Sequence, residues 1–137
     1  MSQAILVVDD DEMVGQVLTR VLARDGYAVI LAATAAQAIR LACEFHPQLA
    51  LLDVCLEDGD GVQLGRDLRA MMPDLGLVLM TASPVPVEEH SERGVARVLI
   101  KPLDLAHLRQ TITAVLAELA DGAVCATCAA AQHWAAP

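Results

Sequence analysis

Five short apolar runs alternate with segments whose apolar residues fall at helical spacing, and no other feature narrows the fold of this chain as much. The runs are Ala4–Val8, Tyr27–Leu31, Gln48 into Asp53, Gly76–Met80 and Arg97–Ile100. Runs this short, bounded by turn signals and lacking internal alternation, suit strands buried on both faces. Between them, Met13, Val14, Val17, Leu18, Val21 and Leu22 form one helical stripe, which Gly26 ends. Thr34 and Gln37 make a capping box for a helix that turns Ala38, Ile39 and Ala42 inward and stops at Pro47. Asp60, with Gln63 three residues on, opens a third helix through Leu64, Leu68 and Met71 to Pro73. Asp104 caps a long last helix with Leu105, Leu108, Ile112, Val115 and Leu119 on one face. Such alternation predicts an α/β fold: a doubly wound, five-stranded parallel sheet with helices on both faces and right-handed crossovers.

No linker or repeat divides the pattern, so residues 1–120 are expected to form one domain. Pro84, Pro86 and Gly94 make 84–96 the least regular part and predict a short or loosely packed helix there. Residues 121–137 form an alanine-rich tail, expected to be disordered or loosely docked. Its Cys125, Cys128 and His133 hint at zinc but offer no clear fourth ligand. Cys43 and Cys55 fall at apparent core or core-edge positions, and four cysteines in 137 residues do not make a disulfide scaffold. With 9 basic and 18 acidic residues the net charge is −9, which argues against direct binding to nucleic acid or an anionic membrane. It suits a cation or a basic partner. No apolar run approaches the ~18–20 residues of a membrane span, and the start lacks a signal-peptide pattern. The expected location is the cytoplasm.

Asp9 with Asp10, Asp53, Thr81 and Lys101 all stand at predicted carboxyl ends of strands, where open α/β sheets keep their ligand sites. With a strand order of 2-1-3-4-5, the first and third strands are neighbours, and Asp9, Asp10 and Asp53 converge. Like charges about 4 Å apart repel by roughly 4 kcal/mol at an effective dielectric near 20. Such a cluster needs a cation, and its oxygen donors suit Mg²⁺. Lys101 is the only lysine in the chain, and two strands from Asp53 it needs its long arm. Each residue alone also has a plain reading: the acid pair as helix caps, Asp53 as a turn residue, Thr81 as a strand-end hydroxyl, Lys101 as a solvated charge. Their joint arrangement favours a site.

From Ala4 to Leu119 the chain resembles a receiver domain of two-component response regulators, of the chemotaxis-regulator type with the flavodoxin-like strand order 2-1-3-4-5. The residues that carry the resemblance are Leu6-Val-Val-Asp-Asp10, Leu51-Leu-Asp53 with Asp60-Gly61, Leu79-Met-Thr81-Ala82, and Leu99-Ile-Lys101-Pro102. It implies phosphorelay signalling in which a sensor histidine kinase or phosphotransfer protein passes a phosphoryl group to Asp53. It further implies that Asp10 and Asp53 ligate Mg²⁺, that Asp9 acts mainly through water, and that the Cys55 carbonyl supplies a main-chain ligand. Thr81 and Lys101 would bind phosphoryl oxygens. The chain would take part in its own phosphorylation and dephosphorylation rather than act as an enzyme on another substrate. Two positions depart from the family: Val98 stands where an aromatic residue usually sits, and Glu57 where a proline is common. The stretch between Thr81 and Lys101 is also short, which bears on the usual output face.

The leading expectation is a stand-alone receiver that acts on an unnamed downstream protein by contact. A receiver-like module that is never phosphorylated is the second reading. An aspartyl-phosphate phosphatase of the haloacid dehalogenase type is the third, because Asp9-x-Asp11 follows the first strand, although Glu12-Met13 fits that family badly. The last helix offers a face for a homodimer, while its apolar stripe reads first as core.

Overall fold

The computed structural model describes residues 3–82 and 97–120. The expectations for a helix between Pro84 and Gly94, and for the tail with Cys125, Cys128 and His133, lie outside the described residues.

The main sheet holds β1 (Ala4–Val8), β2 (Ala28–Ala32), β3 (Leu49–Asp53), β6 (Gly76–Thr81) and β7 (Arg97–Ile100). Its order is β2-β1-β3-β6-β7 with every pair parallel. A two-residue pair, β4 (Cys55–Leu56) and β5 (Gly59–Asp60), forms a separate antiparallel hairpin. Setting that hairpin aside, the order is the expected 2-1-3-4-5.

Burial follows from the pleat, since alternate side chains of a strand face opposite layers. Leu6, Val8, Ala50, Leu52, Leu77 and Leu79 join Ala38 and Ala42 of α2 (Ala35–Phe45) and Leu64 and Leu68 of α3 (Gly61–Met71) in one core. Ile5, Val7, Leu49, Leu51, Val78 and Met80 join Leu18 and Leu22 of α1 (Glu12–Arg24) and Leu108, Ile112 and Val115 of α4 (Leu105–Ala120) in the other. The central strands therefore read as unbroken apolar runs because both faces are covered. Complete burial of each such leucine contributes roughly 1.5–3 kcal/mol. Leu108, Ile112 and Val115 of the α4 stripe are core, and Leu119 is half-buried against the same core.

Helix ends match the sequence with informative exceptions. Gly26 takes φ +93, and Tyr27 N–H bonds back to the Leu22 carbonyl, closing α1. Thr34 Oγ accepts from Gln37 N–H at 3.1 Å, while Gln37 Oε1 accepts from Ala33 N–H at 2.8 Å. Asp60 caps α3 through Val62 N–H, but the Gln63 amide bonds forward to Asp67 instead of back to the cap. Asp104 accepts from Ala106 and His107 N–H and starts α4.

Several expectations about burial fail: Leu31 of β2 and Ile100 of β7 are 40% and 57% exposed, because these edge strands are covered less fully than the central ones. Met13 and Val17 of the α1 stripe are 75% and 46% exposed, and Leu105 of α4 is 38% exposed. Periodicity identifies an apolar face but not how far the sheet beneath it extends. Cys43 and Cys55 are exposed free thiols. Cys43 follows the inward Ala42 and so turns to the outer side of α2, and Cys55 belongs to the hairpin outside the main sheet.

Candidate functional site

The carboxyl ends of β1, β3, β6 and β7 meet at one edge of the sheet. Asp9, one residue past β1, is held there by its own N–H on the Ala32 carbonyl of β2 at 3.1 Å. Asp53 ends β3, and Val54 N–H continues the ladder to the Met80 carbonyl at 2.9 Å. Thr81 ends β6 and accepts Lys101 N–H on its carbonyl at 2.7 Å. Lys101 follows β7, and its peptide bond to Pro102 is cis. Asp9, Asp53 and Thr81 are buried, while Asp10 is exposed.

Asp9, Asp10 and Asp53 present carboxylate oxygens within 4.8 Å of one another. The first and third strands, adjacent in the sheet, bring them together as the sequence predicted. Lys101 spans the gap: its Nζ donates to Asp9 Oδ2 at 3.0 Å and to Asp53 Oδ2 at 3.2 Å. The other oxygen of each acid accepts a main-chain N–H, Asp11 on Asp9 Oδ1 at 2.8 Å and Cys55 on Asp53 Oδ1 at 3.2 Å. Each buried acid thus meets backbone on one side and shares a single ammonium on the other.

Burial pushes the Asp53 carboxyl above the usual carboxylate range, and the neighbouring Asp9 charge adds to it. The Cys55 N–H and Lys101 oppose this without cancelling it. Burial pulls Lys101 down, but its bonds to Asp9 and Asp53 outweigh that and hold the ammonium above its ordinary value. An oxygen-only cluster with one shared cation fits a divalent metal ion of the hard, oxygen-seeking kind.

Helix capping falls to neither Asp9 nor Asp10: the α1 cap is Asp11, which accepts from Met13 and Val14 N–H. Three consecutive acids therefore divide into buried, exposed and capping roles, a division their identity did not announce. Cys55 is an exposed free cysteine at the rim, and its main-chain N–H meets Asp53 Oδ1. Val98, half-buried, packs against the core that holds Leu77 and Leu79. Glu57 lies exposed in the hairpin turn. Beside Lys101, the exposed Met13, Val17 and Leu105 line an apolar depression with Val14, Leu18 and Leu103.

The family model for the response regulator receiver domain matches residues 5–113. The chain belongs to the response regulator receiver domain family. Among curated relatives, the response regulator MprA of Mycobacterium ulcerans is 35% identical over 118 residues, covering 85% of this chain and 51% of that protein. Sporulation initiation phosphotransferase F of Bacillus subtilis is 27% identical over 114 residues, covering 82% of this chain and 92% of that protein. This receiver domain therefore spans about half the length of the mycobacterial relative. Among solved structures, a CheY-like receiver domain protein from Methanospirillum hungatei superimposes with a TM-score of 0.83 at 26% identity, covering 87% of this chain and 97% of that one. A two-component response regulator from Clostridium difficile gives 0.81 at 28% identity, covering 86% and 98%. Receiver domains serve two-component phosphorelay signalling as phospho-acceptors rather than as enzymes in the usual sense. Among the described residues of this receiver domain, no helix is long and apolar enough to cross a membrane.

Proposed function

We propose that Asp53 accepts a phosphoryl group from a histidine kinase or phosphotransfer protein in a Mg²⁺-dependent step. The observation that carries this reading is the shared ammonium: at one sheet edge Lys101 Nζ bonds both the buried Asp53 carboxylate and a second buried acid, Asp9. Phosphoryl transfer depends on in-line positioning and charge neutralisation more than on covalent help from the protein. In the step, the bond from phosphorus to the donor imidazole nitrogen breaks, and the nitrogen keeps the electron pair. A new bond forms between phosphorus and an Asp53 carboxylate oxygen. Lys101 then pairs with a phosphoryl oxygen, and the Thr81 hydroxyl at the end of the adjacent strand donates to another.

Asp10, Asp53 and the Cys55 carbonyl would hold Mg²⁺ directly, with Asp9 acting mainly through water. Bound there, the ion supplies positive charge against the incoming phosphoryl oxygens. The apolar depression at Met13, Val17 and Leu105 gives a donor protein a footing beside Lys101. Output passes through protein contacts, in keeping with a net charge of −9 that disfavours nucleic acid. The Bacillus relative matched over 92% of its length is a phosphotransferase by name, in keeping with phosphoryl transfer at this site. A cytoplasmic location follows from the proposed donors.

Intact-mass measurement after treatment with acetyl phosphate and Mg²⁺ tests the reading on wild type and Asp53→Ala. One phosphoryl mass on wild type alone is the expected result. No gain on wild type would favour the module that is never phosphorylated, and a gain retained in Asp53→Ala but lost in Asp9→Asn would favour dehalogenase-type chemistry.

A further inference from the structure

The hairpin after Asp53 is fastened at more points than a surface turn needs. At its start Cys55 N–H rests on Asp53 Oδ1 at 3.2 Å, and at its end Gly61 N–H bonds to the Val54 carbonyl at 2.8 Å. Asp60 caps α3 through Val62 N–H. Those fastenings are local in sequence. The Asp58 side chain makes a different one: Oδ1 accepts Ala35 N–H at 2.9 Å, and Oδ2 accepts Ala36 N–H at 3.2 Å. These are the first two residues of α2, on the far side of β3 in the chain.

The first turn of a helix leaves its N–H groups without intrahelical partners. In α2 the local residues satisfy only part of that turn, with Thr34 Oγ taking Gln37 N–H and the Thr34 carbonyl taking Ala38 N–H. Asp58 takes the remaining two. A carboxylate on two N–H groups at the positive end of a helix makes a charge-assisted pair. The same two bonds hold the Asp58 carboxyl below the usual carboxylate range.

We propose that Asp58 is a positioning residue for the site: by pinning the hairpin turn to the N-terminus of α2, it sets the Cys55 main chain against Asp53. The inference deepens the function proposed above and rests on it, because Cys55 matters there only through its N–H on Asp53 and its carbonyl on the metal ion. Asp58 itself touches neither the metal nor the phosphoryl group. Its effect passes through the backbone of 55–58.

Mg²⁺ titration and amide hydrogen exchange on the folded full chain decide it, with Asp58→Ala, Asp58→Asn and Thr34→Ala compared against wild type. Thr34→Ala removes a cap from the same helix without touching the hairpin, so it controls for helix stability. Asp58→Ala is expected to weaken Mg²⁺ binding about tenfold, as loss of an outer partner of a metal ligand commonly does. It should also speed exchange of the Cys55 amide in the metal-free chain. Asp58→Asn, which keeps one acceptor, should fall between, and Thr34→Ala should leave both readouts at wild-type values. Wild-type affinity and Cys55 protection in Asp58→Ala would overturn the proposal, as would an equal loss in Thr34→Ala. Absence of Mg²⁺ binding in wild type would instead count against the metal reading, and the Cys55 exchange comparison alone would then judge Asp58.

Discussion

The Lys101 ammonium stands 3.0 Å from the Asp9 carboxylate although β3 and β6 lie between their strands. The Asp9 side chain has no exposed surface, while the Lys101 side chain keeps 22% of its own. The two residues start three strand spacings apart, and a lysine is long enough to lean in over the sheet edge while leaving its stem near solvent. Replacing it by Met leaves two buried acids facing each other without their cation. We expect Lys101→Met to cost about 2 kcal/mol in metal-free buffer, below the full cost for a wholly buried pair because solvent reaches the ammonium. Denaturant midpoints measure it, and added Mg²⁺ should recover more stability in the variant than in wild type. Because the folded pKa of Lys101 is raised, its contribution is fully present below the ordinary lysine value and is lost as pH rises through the folded one. The difference between variant and wild type should therefore hold through neutral pH and shrink in strong alkali, and it should also shrink in acid once Asp53 takes up its proton.

Asp53→Asn should act in the opposite direction. Burial raises the folded pKa of Asp53, so between its unfolded and folded values the folded chain binds more protons than the unfolded chain. Stability is gained as pH falls through that window, and above it the ionised acid is a standing cost. Removing the charge should raise stability near pH 7 by about 1 kcal/mol, or roughly 4 °C in Tm, in the absence of Mg²⁺. The gain should vanish below the unfolded carboxylate range. Thermal melts of both proteins across pH check the sign, and a destabilised Asp53→Asn at neutral pH would contradict it.

How far the sequence carried the structure depends on how local each cause is. The five strands, their order and the convergence of Asp9, Asp10, Asp53 and Lys101 were legible because each strand is a short apolar run, and all but β2 lead into a residue of distinctive chemistry. Caps at Thr34, Asp60 and Asp104 were legible for the same reason, each acting within three residues. The role of Asp58 was not, since its partners Ala35 and Ala36 are more than twenty residues away and carry no chemical signature. Nor was the exposure of Met13, Val17 and Leu105, because an apolar stripe does not reveal where the layer beneath it stops.

Gly61→Ala should be among the most damaging small substitutions in the chain. A Cβ there would run into the Asp53 carbonyl oxygen and lie 2.9 Å from the Val54 Cα. Both are backbone atoms, so relief requires moving the strand end that carries the proposed acceptor. We expect a loss of about 3 kcal/mol and a fall in phosphoryl acceptance along with it. Gly59→Ala, at a position with open space within 4 Å, should change stability by less than about 0.5 kcal/mol. Paired denaturant titrations of the two variants make the comparison, and equal losses would refute the close-approach argument.

Asp25 and Arg109 join the end of α1 to the first turns of α4 through two bonds of 2.8 Å. The Arg109 side chain is 55% exposed, so water and salt compete with the pair despite its forked geometry. The guanidinium bonds hold the Asp25 carboxyl below its usual range. A depressed folded pKa means the contribution is present above the unfolded value and is lost as pH falls through the folded one. Arg109→Ala should therefore lower Tm by less than about 2 °C at neutral pH and low salt. The difference should fade in 1 M salt, where the screening length is about 3 Å, and again in acid. Buried contacts of Leu108, Ile112 and Val115 hold α4 to the sheet in either case. A salt-independent drop of many degrees would mean that the pair, rather than this apolar face, seats α4.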